Sequence, residues 1–154
     1  MPGEYRFLLY GLRPAFYVKE VRFGTMDLLA QPFQFTGKEQ GSLEIVLDSK
    51  VGSLEGVVND RLAVASGAQV VLVPDKGRHR VDQFKAVTTD KDGHFRITNI
   101  PPGDYKLYAW EAIEQYRWFD SDVLKAAEQF ASPVHLTESS NKTVDARLIP
   151  ASLR

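Results

Sequence analysis

One stretch constrains this chain more than any other: Thr88-Thr89-Asp90-Lys91-Asp92-Gly93-His94-Phe95-Arg96-Ile97-Thr98-Asn99-Ile100-Pro101-Pro102-Gly103-Asp104-Tyr105-Lys106-Leu107-Tyr108-Ala109-Trp110. Asp92-Gly93 is a tight-turn dipeptide, because glycine takes positive φ without a Cβ clash. The run after it alternates, with Phe95 and Ile97 on one face and Arg96 and Thr98 on the other, which is the period of a β-strand. Pro101-Pro102-Gly103 ends that strand by removing backbone donors and fixing φ. A second run then sets Tyr105, Leu107 and Ala109 against Lys106, Tyr108 and Trp110.

Composition narrows the class. The 154 residues are 44% apolar, enough to bury a core and too many for wholesale disorder. The net charge of −1, with both signs interspersed, offers no basic field for a phosphate backbone, so nucleic acid is excluded as a partner. No apolar run reaches the length of a membrane span. There is no cysteine, so disulfides and thiolate metal sites are excluded. Met1-Pro2-Gly3-Glu4-Tyr5-Arg6-Phe7-Leu8-Leu9 lacks the basic-then-apolar layout of a signal peptide. It echoes Pro102-Gly103-Asp104-Tyr105-Lys106-Leu107, an internal repeat of one turn-and-strand unit. The second copy closes a run of strands and the first has almost nothing before it. The expectation is a piece of a longer polypeptide whose first unit is short of strands, a gap that a second copy would cover.

Along the chain, alternation predicts strands over Glu4–Leu9, Phe16–Phe23 and Leu43–Asp48, with Phe33 and Phe35 on an edge segment after Pro32. In Phe16–Phe23 it opposes Phe16, Val18 and Glu20 to Tyr17, Lys19 and Val21. Leu43, Ile45 and Leu47 against Glu44, Val46 and Asp48 reads as a half-buried strand. Asp48-Ser49-Lys50-Val51-Gly52 is the domain boundary, between residues 1–50 and 51–150. Beyond it come Ser53–Val58, the apolar Ala68–Val73, Phe84–Thr89, the two strands of the central stretch, Val134–Leu136 and Thr143–Ile149. The 111–131 segment breaks the rhythm. Ser121 as N-cap, Asp122 in the first turn and Val123, Ala127 and Phe130 on one face predict a short helix over 122–130. Many short strands with Gly and Pro turns indicate an all-β sandwich.

Four segments carry a resemblance: Gly56-Val57-Val58-Asn59-Asp60, Ser66-Gly67-Ala68-Gln69-Val70-Val71-Leu72-Val73, Thr89-Asp90-Lys91-Asp92-Gly93-His94-Phe95 and Pro101-Pro102-Gly103-Asp104-Tyr105-Lys106-Leu107. In order and spacing they resemble carboxypeptidase regulatory-like domains. The resemblance implies a seven-stranded transthyretin-like (prealbumin-like) β-sandwich, also grouped as a carbohydrate-binding-like fold, over residues 51–150. Residues 1–50 resemble a partial immunoglobulin-like module. Such domains are accessory modules of carboxypeptidases, outer-membrane receptors or surface proteins. The resemblance therefore implies a non-catalytic role, no cofactor, an extracytoplasmic bacterial location, and other domains of the same polypeptide as partners. A fold alone gives no function.

The chemistry-bearing residues argue the same way. Zinc hydrolysis needs three converging ligands, and His79, His94 and His135 are scattered with no His-x-x-Glu arrangement. Intradiol dioxygenases resemble this pattern and hold iron with two Tyr and two His, but after Tyr105 the only histidine is His135. Asp90-Lys91-Asp92-Gly93 opens like a calcium loop, yet a hairpin turn explains the same residues. A Lys–Asn isopeptide bond, known in similar surface modules, would draw on Lys50, Asn141 and Glu111. The aromatic group is the binding candidate: Tyr108, Trp110, Tyr116 and Trp118, with Arg117 to bond hydroxyls, form a platform for polysaccharide if their faces are open. If they are closed, Trp110 and Trp118 bury the 111–131 excursion against the sheet.

Overall fold

The run Val70-Val71-Leu72-Val73 has no polar side chain to turn toward water, so a strand made from it needs a cover on both faces. The computed structural model, which describes residues 3–30, 32–38, 40–61, 63–78 and 80–153, supplies both covers. The strands are β1 (Gly3–Tyr5), β2 (Tyr17–Phe23), β3 (Met26–Asp27), β4 (Phe33–Phe35), β5 (Leu43–Asp48), β6 (Gly52–Asp60), β7 (Ala63–Val64), β8 (Gln69–Pro74), β9 (Lys85–Thr88), β10 (His94–Ile100), β11 (Gly103–Trp110), β12 (Ser132–Leu136), β13 (Asn141–Thr143) and β14 (Ala146–Ile149); the helix is α1 (Ser121–Ala126). They fall into two units, Met1–Val51 and Gly52–Arg154.

In the second unit the strands follow the order β10-β6-β14-β11-β8-β9, with β12 also on β11 and β13 and β7 also on β6. β14 starts beside β6, Ala146 opposite Val58, and ends beside β11, Ile149 opposite Trp110. It therefore closes the seam between a β10–β6–β13 layer and a β9–β8–β11–β12 layer. Leu54, Val58, Val70, Leu72, Phe95, Ile97, Tyr105 and Leu107 fill the space between them. This is the all-β sandwich that alternation predicts. In β10 the alternation shifts after Ile97, where the pairing with β6 is irregular and Asn99 takes φ 57°, so Ile100 rather than Asn99 turns inward.

The outer face of β8 and β11 is covered by the excursion. Val71, Val73, Tyr108 and Trp110 pack with Trp118, Leu124 and Ala127. The expected 122–130 helix is α1 followed by a 3-10 turn at Glu128–Phe130. Its cap is Asp120, not Ser121, because the Asp120 carboxylate accepts the Asp122 amide at 2.9 Å. The buried stripe centres on Leu124 and Ala127, while Val123 and Phe130 are half-buried.

The expected strand Thr143–Ile149 is divided at Val144-Asp145. The Val144 amide donates to Glu55 O (2.9 Å) and the Val57 amide donates to Asp145 Oδ1 (3.0 Å), so this bend grips β6 from both sides of Gly56. A Cβ on Gly56 would lie 2.1 Å from Val144 O and 2.8 Å from Val144 C.

In the first unit β1 pairs with β4, and a separate sheet runs β3-β2-β5. Expected strand Glu4–Leu9 stops at Tyr5, yet Phe7 and Leu9 still pack against Val18, Val21 and Leu28. The β2–β5 register shifts between Val18 and Glu20, which puts Val18 and Val21 both in the interior where strict alternation separates them. Leu43, Ile45 and Leu47 of β5 remain 49%, 38% and 43% exposed.

Two alanine substitutions separate glycines needed for space from those needed for φ. Gly67 takes φ +74° with nothing within 4 Å of a Cβ, so Gly67→Ala should cost only about 1 kcal/mol. Gly56→Ala meets backbone that cannot swing away and should cost at least about 3 kcal/mol by urea unfolding; equal costs would contradict the assignment.

Candidate functional site

Three of the segments that carry the resemblance, Gly56–Asp60, Ser66–Ala68 and Thr89–His94, meet at one end of the sandwich, and the fourth turns at the opposite end of β10. Thr89 is buried, and its hydroxyl donates to Ala65 O at 2.7 Å while accepting the Ala68 amide at 2.8 Å. Its backbone amide donates to Ala68 O at 2.9 Å. One residue thus holds the Ser66-Gly67-Ala68 turn against β9. Asp90 Oδ1 accepts the amides of Asp92 and His94, each at 2.9 Å, which also holds its carboxyl below the usual range, the His94 amide contributing most. The hairpin-turn reading of Asp90-Lys91-Asp92-Gly93 therefore describes where this carboxylate points. Gly93 takes φ +76°, donates to Asp90 O and accepts the Val58 amide; a Cβ there would meet Val64 Cβ at 2.9 Å. In Pro101-Pro102-Gly103-Asp104-Tyr105, the Tyr105 hydroxyl returns to Pro101 O at 2.8 Å and ties the turn to the core.

The aromatic group divides. Tyr108 and Trp110 stack on each other (centroids 5.3 Å apart, planes at 11°) and are buried, as is Trp118. Their faces are taken up by the layer over β11. Tyr116 and Phe119 stack at the surface, centroids 6.0 Å apart and planes at 8°, with Tyr116 61% exposed. Trp118 meets Tyr116 edge-on from beneath at 6.0 Å, and Phe84 meets Phe119 edge-on at 4.9 Å. Arg117 is exposed and stands 4.0 Å from Asp120. The five candidates thus form two buried supports on β11, one buried tryptophan, and an open ledge of Tyr116 and Arg117. Tyr116 sits at φ 72°, an unfavourable conformation for a bulky residue. Phe84 had no local signal, since it reaches the ledge from a loop far away in sequence.

Around the Tyr108 hydroxyl lies a polar cluster that sequence reasoning did not find. Glu128 forms a close ion pair with Lys106 Nζ and accepts the Tyr108 hydroxyl at 2.9 Å; Asp75 stands 3.4 Å from Lys106 Nζ. Burial pushes the Tyr108 hydroxyl far above its ordinary range, and the bond to Glu128 adds to the shift. The hydrogen bond with Lys106 holds Glu128 low, and the same bond raises Lys106. His135 Nδ1 lies 2.6 Å from Asp104 Oδ1, an exposed cross-strand pair, and His94 is exposed; His79 lies outside the described residues. Asn141 accepts from Ser53 Oγ beside the start of β6, whereas Glu111 accepts the Ala151 amide beyond the end of β14. An acid at that distance does not assist an isopeptide bond at Asn141. Among the described residues no helix is long and apolar enough to cross a membrane.

The Glu128 cluster sets a pH dependence. Glu128, held low when folded, contributes stability present above its unfolded pKa and lost as the pH falls through the folded one. Lys106, held high, contributes stability present below its unfolded pKa and lost as the pH rises through the folded one. Glu128→Gln should therefore lower stability by roughly 0.5–1 kcal/mol between about pH 5 and 9, and by less below pH ~4. Thermal melts across pH measure this; a constant deficit at every pH would contradict it.

The family model described as carboxypeptidase regulatory-like domain matches residues 53–148. No curated protein matches. Among solved structures, a Pseudomonas aeruginosa protein provisionally described as carbohydrate binding is 14% identical, over 62% of this chain and 87% of its own, with TM-score 0.43. A DUF3823 family protein from Parabacteroides merdae is 16% identical, over 65% of this chain and 46% of its own, with TM-score 0.45. The major pilin subunit of Bacillus cereus is 17% identical, over 69% of this chain and 32% of its own, with TM-score 0.42. The chain thus spans less than half of the last two. The family match covers the strands and the interlocked turns of the second unit, and on it the chain belongs to the carboxypeptidase regulatory-like domain family.

Proposed function

We propose that this chain is a non-catalytic accessory β-sandwich module of a larger cell-envelope or secreted bacterial protein, serving as spacer or recognition domain. The observation that carries this reading is how the family's polar signature is used. Thr89 and Asp90 spend their side chains on backbone groups of adjacent turns, and Asp145, Asp120 and Glu111 likewise each accept a backbone amide. Groups committed in this way hold turns together and are not free to move protons. If so, chelation with EDTA leaves the melting temperature unchanged, within about 1 °C. A clear drop on chelation would point to a resident metal and overturn the reading.

A second reading makes recognition specific: the Tyr116–Phe119 ledge stacks a sugar ring, with Arg117 bonding its hydroxyls. What favours it is an exposed aromatic held at φ 72°, since backbone strain of about 1–3 kcal/mol is kept where the displayed side chain is useful. Trp118 beneath Tyr116 would report binding by fluorescence. Tyr116→Gly relieves the strain, so it should abolish any polysaccharide response while changing stability by less than ~0.5 kcal/mol. Trp110→Ala, by contrast, opens the buried layer and should cost about 3–5 kcal/mol. A saturable response that survives Tyr116→Gly would remove the ledge as the site.

A further inference from the structure

The first unit ends its three-stranded sheet on β5, and among the described residues no strand pairs with the outer edge of β5. Edge strands present unpaired backbone groups, and proteins usually guard them with proline, bulges or inward charges. No proline stands in Leu43-Glu44-Ile45-Val46-Leu47-Asp48, and its two charges, Glu44 and Asp48, lie on the face opposite Leu43, Ile45 and Leu47. Leu43, Ile45 and Leu47 line one face, each more than a third exposed. They share that face with Phe23 and buried Val21 across the β2 pairing. Leu43 also borders a wholly apolar groove lined by Tyr5, Phe7, Met26 and Phe33, so the apolar surface runs on past the strand.

We propose that β5 is a homodimerisation edge, pairing antiparallel with β5 of a second copy about a two-fold axis at Ile45. The sequence of the strand selects that occupant and that register. With Ile45 on the axis, Ile45 faces its own copy, Leu43 faces Leu47 twice, and Glu44 faces Val46; no like charges are opposed. Moving the axis to Glu44 sets Glu44 against itself, and moving it to Val46 sets Glu44 against Asp48, both destabilising cross-strand pairs. Moving it by half a step sets Leu43 against Asp48 and puts apolar and polar faces together. Such a self-complementary contact is isologous and closes after two copies. Its small area places it among weak interfaces, with a dissociation constant roughly in the micromolar range.

The chain has no cysteine, so a single introduced thiol reports the axis directly. Opposed residues of an antiparallel pair lie within disulfide reach. In the full chain under mild oxidation, Ile45→Cys should form a covalent dimer at least about tenfold faster than Tyr10→Cys, whose parent residue is 80% exposed. Wild type should show concentration-dependent dimerisation by sedimentation velocity between about 1 and 200 µM. Ile45→Lys and Ile45→Glu should each sediment as monomers and dimerise again when mixed, a rescue that misfolding of either variant would not produce. Equal crosslinking of the two cysteine variants, a monomeric wild type across the range, or a mixture that stays monomeric would each overturn the proposal.

Discussion

Two-sided burial of the β8–β11 pair is the constraint on which the second unit depends. The register runs from Tyr105 opposite Pro74 to Trp110 opposite Gln69, and nearly every side chain along both strands is removed from water. One face meets β6 and β10, and the other meets the 111–131 excursion. A strand buried on both faces tolerates neither polar substitution nor loss of either cover. α1 and its C-cap residue place Leu124 and Ala127 over Tyr108 and Trp110, and packing stabilises this short helix more than its own length can.

The second dependence is on turns that hold one another. Thr89 secures the loop before β8, Asp90 closes its own hairpin, Gly93 lets that hairpin approach β6 and β7, and Gly56 lets the Val144 carbonyl cross β6. The residues that mark the family are therefore places where chain segments touch too closely, or too far from water, for other side chains. That is a structural reason for a motif.

Much of this was legible because local period and environment agree. Alternation places Phe95 and Ile97 on one face, and it separates Tyr105, Leu107 and Ala109 from Tyr108 and Trp110, which pack on opposite faces of β11. Where sequence reading failed, a single-residue event or a distant partner was responsible. A register shift near Lys19 turned both Val18 and Val21 inward, and the strand expected to reach Leu9 lost its ladder after Tyr5. Asp120 competed successfully with Ser121 for the helix cap. At the candidate site, the composition of the aromatic group was visible but its division was not, because burial of Tyr108 and Trp110 depends on Leu124 and Ala127 arriving from the excursion. Glu128 and Phe84 acquire their roles only through contacts across the fold.

Thr89, Asp90, Gly93 and Gly56 act as structural fasteners. Thr89→Val tests this fastening most directly, since it keeps the shape and removes only the hydroxyl that bridges Ala65 O and Ala68 N. Equilibrium urea unfolding should show a loss of about 1–3 kcal/mol with an unchanged slope, the cost of leaving one buried and one partly buried backbone group unpaired. A variant as stable as the wild type, within ~0.5 kcal/mol, would contradict a fastening role for Thr89.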